Sequence, residues 1–388
     1  PFPPEPLLDE APPGYNWRWH WPSAYSFCTG QKPATNQVRI LDAGCGTGVG
    51  TEYLVHLNPE AEVVGMDLSA GAIAVATERC QRSGANRVTF HNLSIYDVDQ
   101  IPGEFDLINC VGVLHHMPDP VRGIQALATK LKPGGILHIF VYAELGRWEI
   151  QLTQEAIALL QGPSRQGDYK DGVQVGRTLF SSLPEQNRIR QREQTRWALE
   201  NQRDECFADM YVHPQEIDYN VKTLFELIDA SGLEFVGFSN PQYWDLFRLI
   251  GSAPDLMERA SGLAERDRYR LIEVLDPEIT HYEFFLSRPP LSKIDWSDDK
   301  LLQTAIPERH ACMEGWPSRS FFNYDYQVVS VSAEEFAFLE KCEPQQAHSV
   351  AEILADLGLA SGLASGLASG LDLVRSLQAR QLIMLQPL

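Results

Sequence analysis

The sequence predicts an α/β fold: a doubly wound, mostly parallel, seven-stranded sheet with helical insertions and a small α+β C-terminal domain. Three observations predict it. Short apolar runs alternate with helix-forming stretches from residue 38 to residue 286, the pattern of βα units stacked in a parallel sheet. The first run, 38–41, ends in Asp42 and a turn with glycines at 44, 46 and 48. After Arg288-Pro289-Pro290 the alternation stops.

Each element follows from its residues. Residues 38–41 read as a buried strand and 51–57 as a helix, with the glycine turn between them. A strand ending in an acid, a glycine loop and a helix start make a ligand-binding corner. Glycine admits a ligand where a Cβ would block it, and the helix N-terminus offers free N–H groups. A second strand, 61–66, ends in Asp67, a carboxylate able to accept from both hydroxyls of a ribose. Residues 69–84 read as a helix with Ser69 as N-cap and Gly84 as stop. A third strand spans 88–90, with Ser94 and Ile95 just beyond. The fourth, 105–111, runs into Gly112-Val113-Leu114-His115-His116-Met117-Pro118-Asp119. A helix over 121–131, a turn at Lys132-Pro133-Gly134-Gly135 and a fifth strand, 136–142, complete this half. Ligands of such sheets lie at the carboxyl ends of the strands. Asp42, Asp67, Ser94, Cys110 and Tyr142 therefore fall along one edge.

Residues 41–48, Leu-Asp-Ala-Gly-Cys-Gly-Thr-Gly, resemble motif I of the class I S-adenosylmethionine-dependent methyltransferases. Val49 breaks the dinucleotide pattern GxGxxG, which turns the motif away from a nicotinamide cofactor; an ordinary βα turn of another doubly wound fold is the other reading of this motif taken alone. Asp67, Val-Leu-His-His-Met-Pro-Asp at 113–119 and Leu-Lys-Pro-Gly-Gly-Ile-Leu at 131–137 match further features of that family, in order. The resemblance is close over 38–142 and looser to 286. It implies a Rossmann-like methyltransferase with S-adenosylmethionine as cofactor. The implied contacts are Asp42, Gly44, Cys45, Gly46, Gly48, Asp67, Leu68, Ser94, Ile95 and Cys110. In the family an acid past the third strand meets the adenine; here Ser94 stands there, with Asp97 as the other candidate. Cys45 reads as structural rather than redox-active.

Outside this half, residues 1–35 carry Pro-Phe-Pro-Pro-Glu-Pro and Trp17-Arg18-Trp19-His20-Trp21. Two roles are open for this segment: crossing the catalytic domain near the cofactor, or an aromatic strap for stability. The methyltransferase domain spans 36–290. Residues 146–215 form a substrate-side insertion, with helices over 151–161 and 193–206, and Tyr211-Val212-His213-Pro214 returns either to the active-site mouth or to packing. A helix over 219–232 leads to a sixth strand, 234–238. A second insertion, 241–276, is helical, and 280–286 is the last, antiparallel strand. Residues 291–388 predict a strand over 321–331, helices over 333–341, 350–357 and 371–380, and a strand over 381–385, resembling by pattern a winged-helix or PqqD-like module. The Gly-Leu-Ala-Ser repeats of 358–370 read as an expanded flexible loop, since a glycine every four residues disfavours helix.

Composition narrows the function. The net charge of −20 repels phosphate backbones and argues against a nucleic-acid substrate. The cluster of Arg188, Arg190, Arg192, Arg196 and Arg203 is interleaved with Glu and Gln and reads as a solvated helix face. Seven cysteines without a CxxC pair read as reduced thiols of a cytoplasmic protein, with no metal site. No signal peptide and no apolar stretch of membrane-spanning length is expected.

The chemistry implied is in-line methyl transfer, in which alignment supplies up to about 7–11 kcal/mol of the barrier reduction. His115 and His116 are candidate bases, against packing and backbone hydrogen bonding, and Tyr142 is a candidate for orienting the acceptor. No (D/N)PP(Y/F) follows the fourth strand, which lowers the weight of an amide acceptor. The large insertion and C-terminal module favour a protein acceptor, and the layout is similar to the cyanobacterial methyltransferases that modify an asparagine of the phycobiliprotein β-subunit. The Leu-His-His-Met-Pro-Asp segment favours a small molecule, and Ser94 hints at a non-catalytic S-adenosylmethionine binder. The oligomeric state stays open.

Overall fold

The computed structural model describes residues 16–343, 347–359 and 366–388. Seven strands form the central sheet: β1 (Arg39–Ala43), β2 (Glu62–Asp67), β3 (Val88–Asn92), β4 (Phe105–Val111), β5 (Leu131–Tyr142), β6 (Glu234–Phe238) and β7 (His281–Ser287). Their order is β3-β2-β1-β4-β5-β7-β6. Neighbours from β3 through β5 pair in parallel, and β7 runs antiparallel to both β5 and β6. The chain reverses direction in the sheet between β1 and β4, which opens a crevice at their carboxyl ends.

Apolar residues cover both faces, as a doubly wound sheet requires. One face packs Ile108, Ile139 and Phe284 against helices Pro120–Thr129, Val221–Ser231 and Glu265–Leu275. The other packs Ile40, Leu107 and Phe285 against Val49–Leu57, Ala70–Arg82 and the N-terminal segment. Ser69 caps the helix Ala70–Arg82 through Ala72 N, and Gly84 follows it at φ +78°. The expected turn at 132–135 is instead the irregular start of β5, which pairs with β4 from Leu131 and slips register between Phe105 and Leu107.

The insertion after β5 folds around its own core of Ile150, Ile157, Trp197, Phe207 and Tyr211. Its helices include Trp148–Gln161 and Tyr169–Ser182, the second not anticipated. The single helix expected over 193–206 is broken. A π turn, Glu193–Trp197, a 3-10 turn, Glu200–Gln202, and the helix Asp204–Tyr211 replace it, so that Trp197 reaches Glu149 while Phe207 turns into the core.

The C-terminal part has a separate core around Leu302, Phe338, Leu354 and Leu377. Two small antiparallel sheets pair β8 (Ile306–Arg309) with β11 (Ile383–Gln386) and β9 (Ser320–Phe322) with β10 (Val328–Ser330). The single strand expected over 321–331 is this β9–β10 hairpin. The expected loop at 358–370 lies partly outside the described residues, and the last helix already begins at Gly366. Residues 16–35 join the two cores. Trp17 is sealed between Phe27, Phe285 and Tyr324, and Trp296 donates to Gly30 O at 2.6 Å. Among the described residues no helix is long and apolar enough to cross a membrane.

Candidate functional site

The glycine turn after β1 is held from below. Gly44 N and Cys45 N donate to Met66 O at 2.8 and 2.9 Å, and Gly46 N donates to Asp67 Oδ2 at 2.9 Å. A Cβ on Gly44 would strike Val113, and one on Gly48 would strike Ala76. Gly46, at φ +51°, differs: a Cβ there meets nothing within 4 Å. Its outer side faces open space, the approach a ligand needs.

Beside it lies a cavity lined by Gly44, Asp67, Leu68, Ser94, Tyr96 and His116. Leu68 is 76 % exposed and forms an apolar flank of this cavity. Asp67 Oδ1 accepts from Ser69 N at 2.8 Å, which fixes the carboxylate and leaves lone pairs for a diol. Ser94 Oγ accepts from Tyr96 N at 3.2 Å and starts the 3-10 turn that forms the far wall. Ser94 and Ile95 line the cavity; Asp97, the alternative, does not. An open glycine backbone, a fixed carboxylate and an apolar cleft fit the ribose and adenine of S-adenosylmethionine.

Asp42, Cys45 and Cys110 take other positions. Cys110 is fully buried in the core, and burial raises the thiols of both Cys45 and Cys110. Asp42 is buried under the turn, where Thr51 Oγ1 donates to it at 2.6 Å and Asn109 Nδ2 at 2.8 Å. Burial raises its pKa against those two hydrogen bonds. These three side chains support the loop from behind.

Asp42 also begins a buried polar chain that sequence reasoning missed. Asn109 Oδ1 accepts from Trp19 Nε1 at 2.9 Å and lies 2.8 Å from His138 Nδ1. His138 Nε2 lies 3.1 Å from Glu283 Oε1, and Glu283 Oε2 lies 2.7 Å from Arg18 Nε. Arg18 continues to Asp325 of the C-terminal part at 3.3 Å. Burial alone would raise Glu283, but the Arg18 guanidinium and the His138 ring bring it down to about 2. The only sequence signal was the polar residues at 109, 138 and 283 inside otherwise apolar strands.

The histidines separate. His115 is fully buried, and neither ring nitrogen has a hydrogen-bond partner. Burial, then the neighbouring His116, push its pKa down to about 2, so it is neutral. It packs 4.0 Å from the Tyr142 ring, itself under Arg147 at 3.5 Å. Burial raises the Tyr142 hydroxyl. His115 and Tyr142 lie outside the lining of the cleft, whereas His116 is part of it. His116 Nδ1 lies 3.0 Å from the carbonyl of Gln215, so it must donate, which leaves Nε2 as the basic nitrogen. Burial lowers the His116 pKa, keeping that lone pair free at neutral pH. His213 stacks on His116 at 4.0 Å, and Ile217 N donates to His115 O at 2.8 Å. The segment 211–219 thus returns to the mouth of the site. It is pinned by Arg147, which pairs with Glu216 at 3.0 Å and approaches Asp218 at 3.8 Å.

Comparison with known proteins bears on the family and the fold. A family model described as "Methyltransferase domain" matches residues 41–137. The chain is 61 % identical to an uncharacterized protein of Synechococcus sp., over all of this chain and 91 % of that protein. It is 78 % identical over 83 residues to an "uncharacterized phycocyanin operon protein W" of Pseudanabaena tenuis, covering 21 % of this chain and 78 % of that one. The structure of PKMT2 from Rickettsia typhi in complex with AdoHcy shares the fold, with a TM-score of 0.66 at 16 % identity over all of this chain and 77 % of that chain.

Proposed function

The chain belongs to the S-adenosylmethionine-dependent methyltransferases, and we propose that it methylates a side chain of a protein, with an asparagine of a phycobiliprotein as the acceptor. The observation that carries the acceptor reading is the 78 % identity to a phycocyanin operon protein. The insertion and C-terminal part support it, because they exceed what a small acceptor needs. The proposed setting is the cytoplasm.

Bound S-adenosylmethionine supplies a methyl group already activated on a sulfonium. The bond from sulfur to the methyl carbon breaks as the bond to the acceptor nitrogen forms, leaving a neutral thioether, and one proton leaves the nitrogen. Asp67 holds the ribose, Leu68 and Ser94 flank the adenine, and the backbone at Gly46 lies against the cofactor. His116 takes the proton on Nε2. His115 and Tyr142 position the His116 loop from beneath. The segment 211–219 excludes water from the mouth.

The test is methyl transfer from methyl-labelled S-adenosylmethionine into a cyanobacterial extract, with acid-precipitable and soluble counts separated. Label in a protein band of phycobiliprotein size is expected. Label confined to the soluble fraction contradicts the reading and favours a small-molecule acceptor.

A further inference from the structure

A second cavity, of about 280 Å³, opens where β7 begins. Five parts of the chain meet on it: Arg18 of the N-terminal segment, Arg196 of the insertion after β5, Tyr243 and Trp244 of the segment after β6, His281 and Glu283 of β7, and Asp325 of the C-terminal part.

The walls are unevenly charged. Arg196 is spent on Glu278 at 2.6 Å, and Glu278 also takes Arg192 at 2.7 Å, whose other partner is Glu149 at 2.9 Å. Asp276 is matched by Arg248 at 2.6 Å. At the Arg18 end Glu283 and Asp325 both pair with the guanidinium of Arg18. Burial lowers the pKa of the His138 and His281 rings behind them, while the Glu283 carboxylate pulls His138 the other way. Burial raises the Asp325 carboxyl against the pull of Arg18, and a further cation beside Glu283 and Asp325, whose side chains are 16 % and 12 % exposed, would favour both carboxylates. Tyr243 and Trp244 add aromatic rings to the same cavity, and Tyr243 is half exposed at its rim. Carboxylates beside aromatic faces are the chemistry that holds a cation.

We infer that this cavity is a recognition subsite for a cationic side chain of the acceptor protein, displayed near the residue that is methylated. The inference rests on the reading of the acceptor as a protein. The guest's charge completes the Glu283–Arg18–Asp325 group, and its stem lies against Tyr243 and Trp244.

The test compares two probes of nearly equal shape, N-acetyl-arginine amide and N-acetyl-citrulline amide, binding the full chain saturated with S-adenosylhomocysteine. Calorimetry reads binding without any transfer, so the result does not depend on the acceptor's identity. The arginine probe should bind about tenfold or more tightly than the citrulline probe, and the gap should shrink as salt is added. Tyr243→Ala, at the rim where folding is not at stake, should weaken the arginine probe several-fold and leave S-adenosylhomocysteine affinity unchanged. Asp325→Asn should close the gap between the probes. Equal binding of the two probes, or an arginine affinity untouched by both variants, overturns the subsite. A protein label in the extract together with equal probe binding would leave the protein-acceptor reading standing and remove the subsite alone. Tight arginine binding with label only in metabolites would do the reverse: the cavity would hold a cation, but not one from a protein acceptor.

Discussion

At the scale of a single residue, the proposed cofactor site turns on Gly46. Its missing side chain leaves room for a ligand and for nothing of the protein itself. Gly46→Arg should therefore abolish S-adenosylmethionine binding by calorimetry, while stability falls only by the left-handed backbone cost, on the order of 1–2 kcal/mol. Retained affinity would move the cofactor elsewhere. The two histidines make opposite predictions. His115 is sealed in with two unpaired nitrogens, so His115→Phe should hold or raise the melting temperature, because it removes buried polar atoms that have no partner. His116→Ala should lower turnover by about 10²-fold or more, the usual worth of a positioned base, with S-adenosylhomocysteine still bound. Wild-type turnover in His116→Ala would remove its role as base. The sequence places both histidines at the strand end. It cannot say which one turns inward, because adjacent positions on a 3-10 turn point in different directions and only the packing of Tyr142 and His213 decides.

At the scale of elements, the sheet was legible and its crosslinks were not. Strands β1, β2, β4 and β7 lie within a residue or two of where alternating apolar runs put them, since burial on both faces leaves a strong local signal. The helix over 193–206 failed because the tertiary demands of Trp197 and Phe207 overrode helix propensity. The relay from Asp42 through Asn109, His138 and Glu283 to Arg18 joins residues up to 265 positions apart, as between Arg18 and Glu283, and no local pattern marks it. It does have a measurable consequence. Glu283 is depressed from 4.5 to about 2, so its contribution to stability is fully present above pH ~4.5 and is lost as pH falls through ~2. That contribution is on the order of 3 kcal/mol. In denaturant titrations, Glu283→Gln should be clearly less stable than wild type at pH 7, with the gap narrowing between pH ~4.5 and ~2. A gap independent of pH would mean that the Glu283 charge does not fasten the strap.

Across the whole molecule, a cofactor-binding sheet is wrapped by three additions: a strap, an insertion and a C-terminal part. Of the strap, residues 1–15 lie outside the described residues; in the rest Trp17 packs against Phe285 and Tyr324, and Trp19 reaches Asn109. The β/α alternation ends near 290, and many of the residues beyond it pack around a core of their own, while Cys312 and Tyr324 join the core of the sheet. The central claim is that the acceptor is a phycobiliprotein side chain. The most direct measurement incubates the purified enzyme and S-adenosylmethionine with phycobiliprotein from cells lacking the enzyme, and reads the intact mass of each subunit. The account predicts that one subunit gains a single methylene, mapped by fragmentation to an asparagine. Subunits of unchanged mass, with an enzyme shown to bind its cofactor, would contradict it.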